Sequence, residues 1–518
     1  MSNEAMSPRC PRISAEDNGR PLVCVVLVAA ILITSGCVVG PKYHPPSVPT
    51  ATAPNYKEAP ANFKDTEGWK VANPQEGMLR GKWWEIFHDP ELNTLETQLE
   101  INNQNIRLYF QNLMEARALV AEAHSLYWPV VTTGPSWNRA KTSGTLTNST
   151  YANTGQTSTI VSFPVDVSWT PDFWGKIRNE VREEQYAAQV SAADLEVEKL
   201  TEESALAQYY FEIRGQDALE QILQQTVDAD QKLLDLTQTL YDTGIDDYYS
   251  VVAARTTLQS VQANLINVGV ARAQYEHAIA VLLGKVATDF SVPKKPLLTT
   301  PPPVPIGMPS ELLQRRPDVA AAERTLAEAN ATIGIGYGAF FPDVTLSASG
   351  GFESSTFARW FNWPSRFWAI GPSISQTLFN GGLYRAELHQ YQAVYNADVA
   401  NYRQTVLTAF QQVEDYLAGV RIYYKELQSQ QAAVNSAEEL LHLEVGRYET
   451  GIDPYLDVLT AQTTLLSDQE TLVTVHIDVM VSAVQLVQAL GGGWDITQLP
   501  TPSQVSQKVP SSDYNMQR

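Results

Sequence analysis

The sequence predicts a mainly α-helical fold with a small β part, laid down twice along one chain. Three observations carry this: two long segments superimpose at a fixed offset, each holds a proline-free helical stretch longer than an ordinary domain, and each encloses two alternating strands. With 518 residues there is room for two or three ordinary domains, but that prior fails for elongated or duplicated chains.

The duplication fixes the frame. At an offset of 207 residues, Tyr241, Thr243, Gly244, Ile245, Asp246 and Tyr248 fall on Tyr448, Thr450, Gly451, Ile452, Asp453 and Tyr455. The same register pairs Gly284 with Gly491, Tyr209 with Tyr416 and Arg178 with Arg385. Only between Pro129 and Gly175 does it change, since Pro129 matches Pro342 at a spacing of 213, and hairpin length absorbs the difference.

Each copy reads helix, strand, strand, long helix, turn, helix. In the first, an Ala-, Leu-, Glu- and Gln-rich stretch from about Glu91 to Leu126 is helical, as is Gly175 to Tyr241. A helix of about 67 residues measures some 100 Å at ~1.5 Å per residue. Asp242 to Asp247 breaks it around Gly244, and a further helix of about 37 residues runs to Leu283 before Gly284 closes it. The second copy repeats the pattern over Pro309 to Gly338, Gly382 to Tyr448 and Pro454 to Leu490. Stacked end to end, the two shorter helices of a copy match its long one, and antiparallel pairing buries the Leu and Val stripes in a coiled-coil seam.

Four strands are expected per chain. Trp128 to Asn138 supplies the first; Val161, Phe163, Val165, Val167 and Trp169 alternate with polar residues in the second. Val344, Leu346 and Ala348 alternate in the third, and a fourth runs from about Phe367 to Leu378. The hairpin tips differ: Lys141 to Ser158 is Ser, Thr, Asn and Gly, whereas the other carries Phe357, Trp360, Phe361 and Trp363, suited to a membrane interface belt or to a packed loop core. Open strand edges are not tolerated in lipid, and four strands cannot enclose a lumen, so a barrel must be shared between chains. Two or three chains both satisfy that arithmetic.

The N-terminus carries an export signal. Arg9, Arg12 and Arg20 precede an apolar run from Leu22 to Ile33, and Thr34-Ser35-Gly36-Cys37 follows as a lipobox. The run is shorter than the roughly 20 residues that span a bilayer. Cys10 and Cys24 leave with the signal, so the mature chain retains Cys37 alone, a thiol to be acylated with diacylglycerol and an N-acyl chain. The expected division is 1–36 signal peptide, 37–90 extended segment, 91–284 first repeat, 285–308 linker, 309–494 second repeat and 495–518 polar tail. That tail and the Pro-rich stretches from Pro41 to Pro60 and Pro293 to Pro305 read as disordered tail and extended connectors.

Composition narrows the function. Lys and Arg total 36 against 57 Asp and Glu, a formal charge of −21, which argues against nucleic acid as a partner and against binding driven by anionic lipid. The seven His show no metal spacing, and no Gly-rich phosphate loop follows a strand. Gly334, Gly336 and Gly338 lie at a helix-to-strand junction, where close packing explains them. No catalytic constellation, cofactor site or metal site is expected, and the chain reads as no enzyme.

These residues together resemble the TolC-like outer-membrane factors, in the lipoprotein branch called NodT-type, from Cys37 to about Trp494. The marks are Cys37-Val38-Val39-Gly40-Pro41-Lys42-Tyr43, Trp83-Trp84, Gln314-Arg315-Arg316-Pro317-Asp318, Phe341-Pro342, Asn380-Gly381-Gly382 and Arg447-Tyr448-Glu449-Thr450-Gly451-Ile452. The resemblance implies a homotrimer: a twelve-strand barrel in the outer membrane of a Gram-negative bacterium and an α-barrel of long antiparallel helices through the periplasm. It also implies a periplasmic adaptor and an inner-membrane pump, commonly of the resistance-nodulation-division type. Val38, where an Asp would retain the lipoprotein in the inner membrane, agrees with outer-membrane sorting.

The tip turns at Gly244 and Gly451 are then expected at the periplasmic mouth, where Asp242, Asp246, Asp247, Asp453 and Asp457 gather. Converging carboxylates repel unless cations or Arg intervene, and Arg447 and Arg255 are the available partners. The expectation is that these ion pairs, with Tyr241 and Tyr448, hold the aperture closed until an adaptor docks. By resemblance Asp457 is the aperture aspartate, while Thr460 stands where a second acidic residue is usual. A type I protein secretion outlet and a periplasmic coiled-coil scaffold are the alternatives.

Overall fold

The computed structural model describes residues 38–48, 56–58, 81–143, 157–297 and 312–510. The expected signal peptide, Cys37, most of the Ser/Thr-rich hairpin tip and residues 511–518 lie outside them.

The helices follow the duplication to the residue. Two 67-residue helices, α3 (Lys176–Asp242) and α7 (Leu383–Glu449), and two 35-residue helices, α4 (Tyr248–Leu282) and α8 (Tyr455–Ala489), keep the offset of 207 at both ends. The single helix expected from Glu91 to Leu126 is instead two, α1 (Pro90–Asn102) and α2 (Gln104–Ser125). Asn103 makes the break: its amide donates to the Leu282 carbonyl at 3.0 Å, and its side-chain oxygen accepts the Ile106 N–H at 2.9 Å. It thereby caps the second helix while tying the first to the end of α4. In the second repeat a short α5 (Leu312–Arg315) and α6 (Pro317–Gly338) stand in their place.

The strands also show the duplication, with one difference. The sheet runs β1 (Val130–Thr133), β3 (Thr157–Trp169), β4 (Asp343–Ser354), β5 (Arg366–Ser375), all antiparallel, with β2 (Ser136–Lys141) pairing further along β3. The expected first strand is thus two pieces interrupted at Gly134-Pro135, where proline has no N–H for the ladder. At the 213 offset β1 and β2 together span the counterpart of unbroken β4, so five pieces occupy four strand positions.

The chain divides into two compact units: residues 1–42, 122–182 and 330–392, and residues 43–121, 183–329 and 393–518. The first contains the sheet. Its glycines are packing positions: a Cβ on Gly334 would strike the Asn179 amide, and one on Gly336 would sit 2.8 Å from the Tyr391 ring. The first described residues are also packed here. The Val39 N–H bonds the Trp174 carbonyl at 2.9 Å, and a Cβ on Gly175 would lie 2.8 Å from the Val38 Cα.

The second unit has a core of buried aromatic and aliphatic side chains around Trp83, Trp84, Phe87, Tyr210 and Phe211. Trp83 donates to Glu203 at 2.9 Å, and burial pushes that carboxyl up to about 8. α8 is the one helix, among the described residues, apolar and long enough to cross a bilayer by composition; Met480, Val484 and Val487 on it are buried in this core.

The described parts of the expected extended connector and of the expected disordered tail are held in place. Arg214 donates to the Pro293 carbonyl at 2.6 Å and Arg272 to the Val292 carbonyl at 2.7 Å, while Asp217 receives Arg272 at 2.7 Å and the Lys295 N–H at 2.9 Å. These buried ion pairs hold the described start of the linker, Val292 to Lys295, against α3 and α4. Beyond Pro500, α9 (Pro502–Val505) opens on a Thr501 capping box, and Val505 is buried beside Ala116, Val120 and Ala188.

Gly284 and Gly491 end equivalent helices with positive φ, and a Cβ on Gly491 would collide with the Arg315 carbonyl oxygen. Gly244 also has positive φ, but open space surrounds it. Gly244→Ala should cost about 1 kcal/mol from backbone strain alone, and Gly491→Ala at least about 2 kcal/mol more, read as midpoint shifts in denaturant. Equal costs would mean that the Gly491 contact is not tight.

Candidate functional site

Two regions hold the features that bear on function, the helix-hairpin ends of the second unit and the sheet of the first. At the hairpin ends both turns close in the same way. Gly244 and Gly451 adopt φ of 76° and 73°, with Ile245 N–H bonding Leu240 O and Ile452 N–H bonding Arg447 O, each at 2.9 Å. A left-handed glycine that satisfies the last helical carbonyls reverses the chain at little cost. Asp247 caps α4 by accepting the Ser250 N–H at 3.1 Å. Asp242 accepts the Gln238 amide at 2.9 Å and is otherwise in solvent.

The two repeats meet through Tyr448. Its hydroxyl donates to Asp246 at 2.7 Å, joining the second long helix to the first turn, and lies 3.2 Å from the Thr237 hydroxyl. Burial, and then the Asp246 carboxylate, push this phenol well above the ordinary tyrosine range. Asp246 also accepts Ser250 Oγ at 3.0 Å. Beside this lies a second bridge, in which the Gln462 amide donates to the buried Asp230. Desolvation raises the Asp230 carboxyl to about 6, and burial together with Asp230 pushes Tyr455 up to about 12.

Arg447 pairs bidentately with Asp453 through one guanidinium edge, Nε to Oδ2 and Nη2 to Oδ1, the latter at 3.0 Å, and this hydrogen bonding holds the Asp453 carboxyl below the usual range. Carboxylate oxygens of Glu444, Asp453 and the exposed Asp457 lie within 4.8 Å of one another, and Arg447 bonds Asp453 while the other two acids act on it through space. Arg255 is exposed and forms no ion pair with any described residue of this chain.

The duplicated tyrosines separate sharply. Tyr241 and Tyr248 touch at 5.5 Å between ring centroids, and Tyr448 and Tyr455 touch at 5.6 Å, so the local pair survives in both copies. Yet Tyr448 and Tyr455 are each 3% exposed, against 41% and 54% for Tyr241 and Tyr248. Sequence reasoning treated the copies alike and missed Asp230, Thr237, Gln462 and Glu444. A signal for the first two exists: Leu223, Asp230 and Thr237 recur at sevenfold spacing on one buried stripe, and polar residues on a seam specify a partner.

In the sheet, the cross-strand register aligns one face. Val131, Val167, Ala348 and Ile370 form one row, and Val165, Gly350 and Trp368 the next, with Trp169, Leu346 and Pro372 on the other side. The opposite face carries Thr132, Asp166 and Ser349, then Ser168 and Ser347. On the apolar face Trp368, Ile370 and Ile374 are each more than 70% exposed. Across β3, Val161 to Trp169 extend about 26 Å at ~3.3 Å per residue, comparable to the ~25 Å apolar band of outer-membrane barrels. Among the described residues β1 and β2 pair only with β3, and β5 only with β4, so both sheet edges are open there.

The comparisons agree with this geometry. The sequence profile of the family described as "Outer membrane efflux protein" matches residues 95–285 and 308–492, one match per repeat. The chain is 31% identical over 476 residues to the solvent efflux pump outer membrane protein SrpC of Pseudomonas putida, covering 90% of this chain and 98% of that one. It is 28% identical to the cation efflux system protein CusC of Escherichia coli, covering 89% and 97%. Among solved structures, that of the outer-membrane channel OprN superimposes with a TM-score of 0.80 at 28% identity, covering 88% of this chain and all of that one. On these grounds the chain belongs to the outer membrane efflux protein family and has the TolC-like fold.

Proposed function

We propose that this protein works as a homotrimeric exit duct, receiving low-molecular-weight solutes from an inner-membrane pump through a periplasmic adaptor and conducting them passively across the outer membrane. The observation that carries the reading is the sheet: one face apolar and exposed, the other polar, both edges open. An exposed apolar face of this size is disfavoured in water, and open edges are disfavoured in lipid, but closure with further copies satisfies both constraints. Three copies give twelve strands around a lumen lined by the Ser- and Thr-rich face.

The hairpin ends support a ring of three. Tyr241, Tyr248 and Arg255 are exposed, while their counterparts at the 207 offset, Tyr448, Tyr455 and Gln462, are buried between repeats. A second copy placed as the repeats are placed would cover the exposed set, and Arg255 would gain partners there. Relatives are named for solvents, toluene, antibiotics and cations, a range too wide for one duct to recognise. Selection therefore belongs to the pump, for which the resistance-nodulation-division type is the expectation, and the duct performs no chemistry of its own. The family makes a scaffold the weaker reading, and the relatives' names favour efflux over protein secretion.

At the periplasmic end, Arg447 with Glu444, Asp453 and Asp457, together with the Tyr448–Asp246 bond, constitutes the proposed closure. Exposed pairs of this kind are individually weak, so closure depends on their repetition around the axis. Arg447→Ala with Asp457→Ala should raise single-channel conductance in planar bilayers at least about twofold. Unchanged conductance would remove the charge lock from the mechanism. Cys37 carries the proposed lipid anchor, and Val38 and Val39 are packed beside Gly175 and Trp174 at the base of the sheet, where an anchored chain would meet the membrane. Metabolic labelling with palmitate should mark the parent and not Cys37→Ser; label retained in the variant would place the lipid elsewhere.

A further inference from the structure

The charged residues of the sheet are sorted by face. Register places Arg366 opposite Phe352, on the apolar face. Arg139 pairs with Thr159 and Lys141 with Thr157, on the same face as Trp137 and Val161. Every basic residue of the five strands therefore lies on the apolar face, gathered at the end of the sheet away from Asp343 and Ser375. The acids Asp166, Asp343 and Glu353 all lie on the opposite face. In a chain of net charge −21, the stretch from 354 to 386 contains no Asp or Glu but holds Arg359, Arg366 and Arg385.

The loop between β4 and β5 continues this pattern. Trp360 and Phe361 stack at 4.8 Å, and Phe361 packs on Phe163 and Phe352 at 6.0 and 5.6 Å, folding the loop back over the apolar face. Phe357 and Trp363 stay exposed. Arg366 donates Nε to the Trp363 carbonyl at 2.9 Å and sits over that indole, so its guanidinium is preorganised without an acidic partner. The Arg359 side chain is exposed and likewise forms no ion pair among the described residues.

A guanidinium on a lipid-facing surface is costly at mid-bilayer and favourable at headgroup depth. Aromatics in front of it and basic residues behind it reproduce the gradient from acyl chain to phosphate. We infer that Arg139, Lys141, Arg359 and Arg366, with the aromatic β4–β5 loop, form a collar that binds the phosphorylated glycolipid of the outer leaflet, its phosphates on the guanidinium groups and its acyl chains along Ile370 and Trp368. This rests on the reading of the sheet as an outer-membrane barrel with its helix-connected ends facing the periplasm. It amends the composition argument, because the overall acidity does not extend to this surface.

The test uses the full-length protein purified in detergent, titrated with a fluorescent bis-phosphorylated lipid A and with the same lipid dephosphorylated. The parent should bind the phosphorylated form about tenfold or more tightly, and Arg359→Gln with Arg366→Gln should remove most of that preference. Replacing both arginines with Lys should retain part of it, since an ammonium still pairs with phosphate. Equal affinity of the parent for the two lipids overturns the inference, as does complete competition by millimolar inorganic phosphate, which would mean a free-anion site. The parent comparison decides the matter even if the double variant does not fold. Conductance measured on the same preparation separates the two failures: a conducting channel without phosphate preference refutes the collar alone, and a non-conducting protein refutes the duct.

Discussion

The governing constraint is a sheet whose backbone hydrogen bonds, among the described residues, are incomplete at both edges. A sheet of four strand positions with open edges and an apolar face is stable neither in water nor in lipid, because unpaired N–H and C=O groups cost several kcal/mol each in hydrocarbon. In the proposed trimer, closure by other copies would pair those groups and turn the apolar face to lipid. The duplication would serve the same end in the proposed ring, since a ring of near-identical halves needs each half to present the same helix lengths. The agreement of 67 with 67 and 35 with 35 residues meets that need.

Duplication does not make the halves equivalent. Tyr448 reaches across to Asp246, whereas Tyr241 faces solvent, although both stand at the same place in the same turn. The difference arises because the buried pair lies between repeats and the exposed pair awaits whatever adjoins the chain. Gln462 and Arg255 divide in the same way: a neutral amide suits the buried contact with Asp230, and a cation suits an outer surface. Asp230, pushed up to about 6 by burial, places a titratable group at the junction between repeats.

Much of this was legible in the sequence, for identifiable reasons. Internal comparison located the long helices to within a residue, because glycine turns and proline-free stretches punctuate them. Strand alternation located the apolar face because the side-chain period is two. The break at Asn103 was not legible, since a single Asn in a helical pattern reveals its capping role only when Leu282 and Ile106 are seen beside it. How the start of the Pro-rich connector is held was not legible, because the guanidinium groups that bond Pro293 and Val292, those of Arg214 and Arg272, lie tens of residues earlier. At the tip, Arg447, Asp453 and Asp457 were recognisable as neighbours, but Glu444 was not singled out, and the one-sided burial of the tyrosines depends on packing that repeat symmetry conceals.

The central claim is that the two open edges of the sheet belong to each other across identical chains. It is tested most directly by introducing Thr132→Cys on β1 and Ala369→Cys on β5, along with neighbouring pairs in register, and oxidising intact outer membranes. The account predicts that at least one register yields a covalent ladder ending at three chains, while each single variant yields none. Material that stays monomeric in every register, with solubilised protein of one-chain mass, would contradict it.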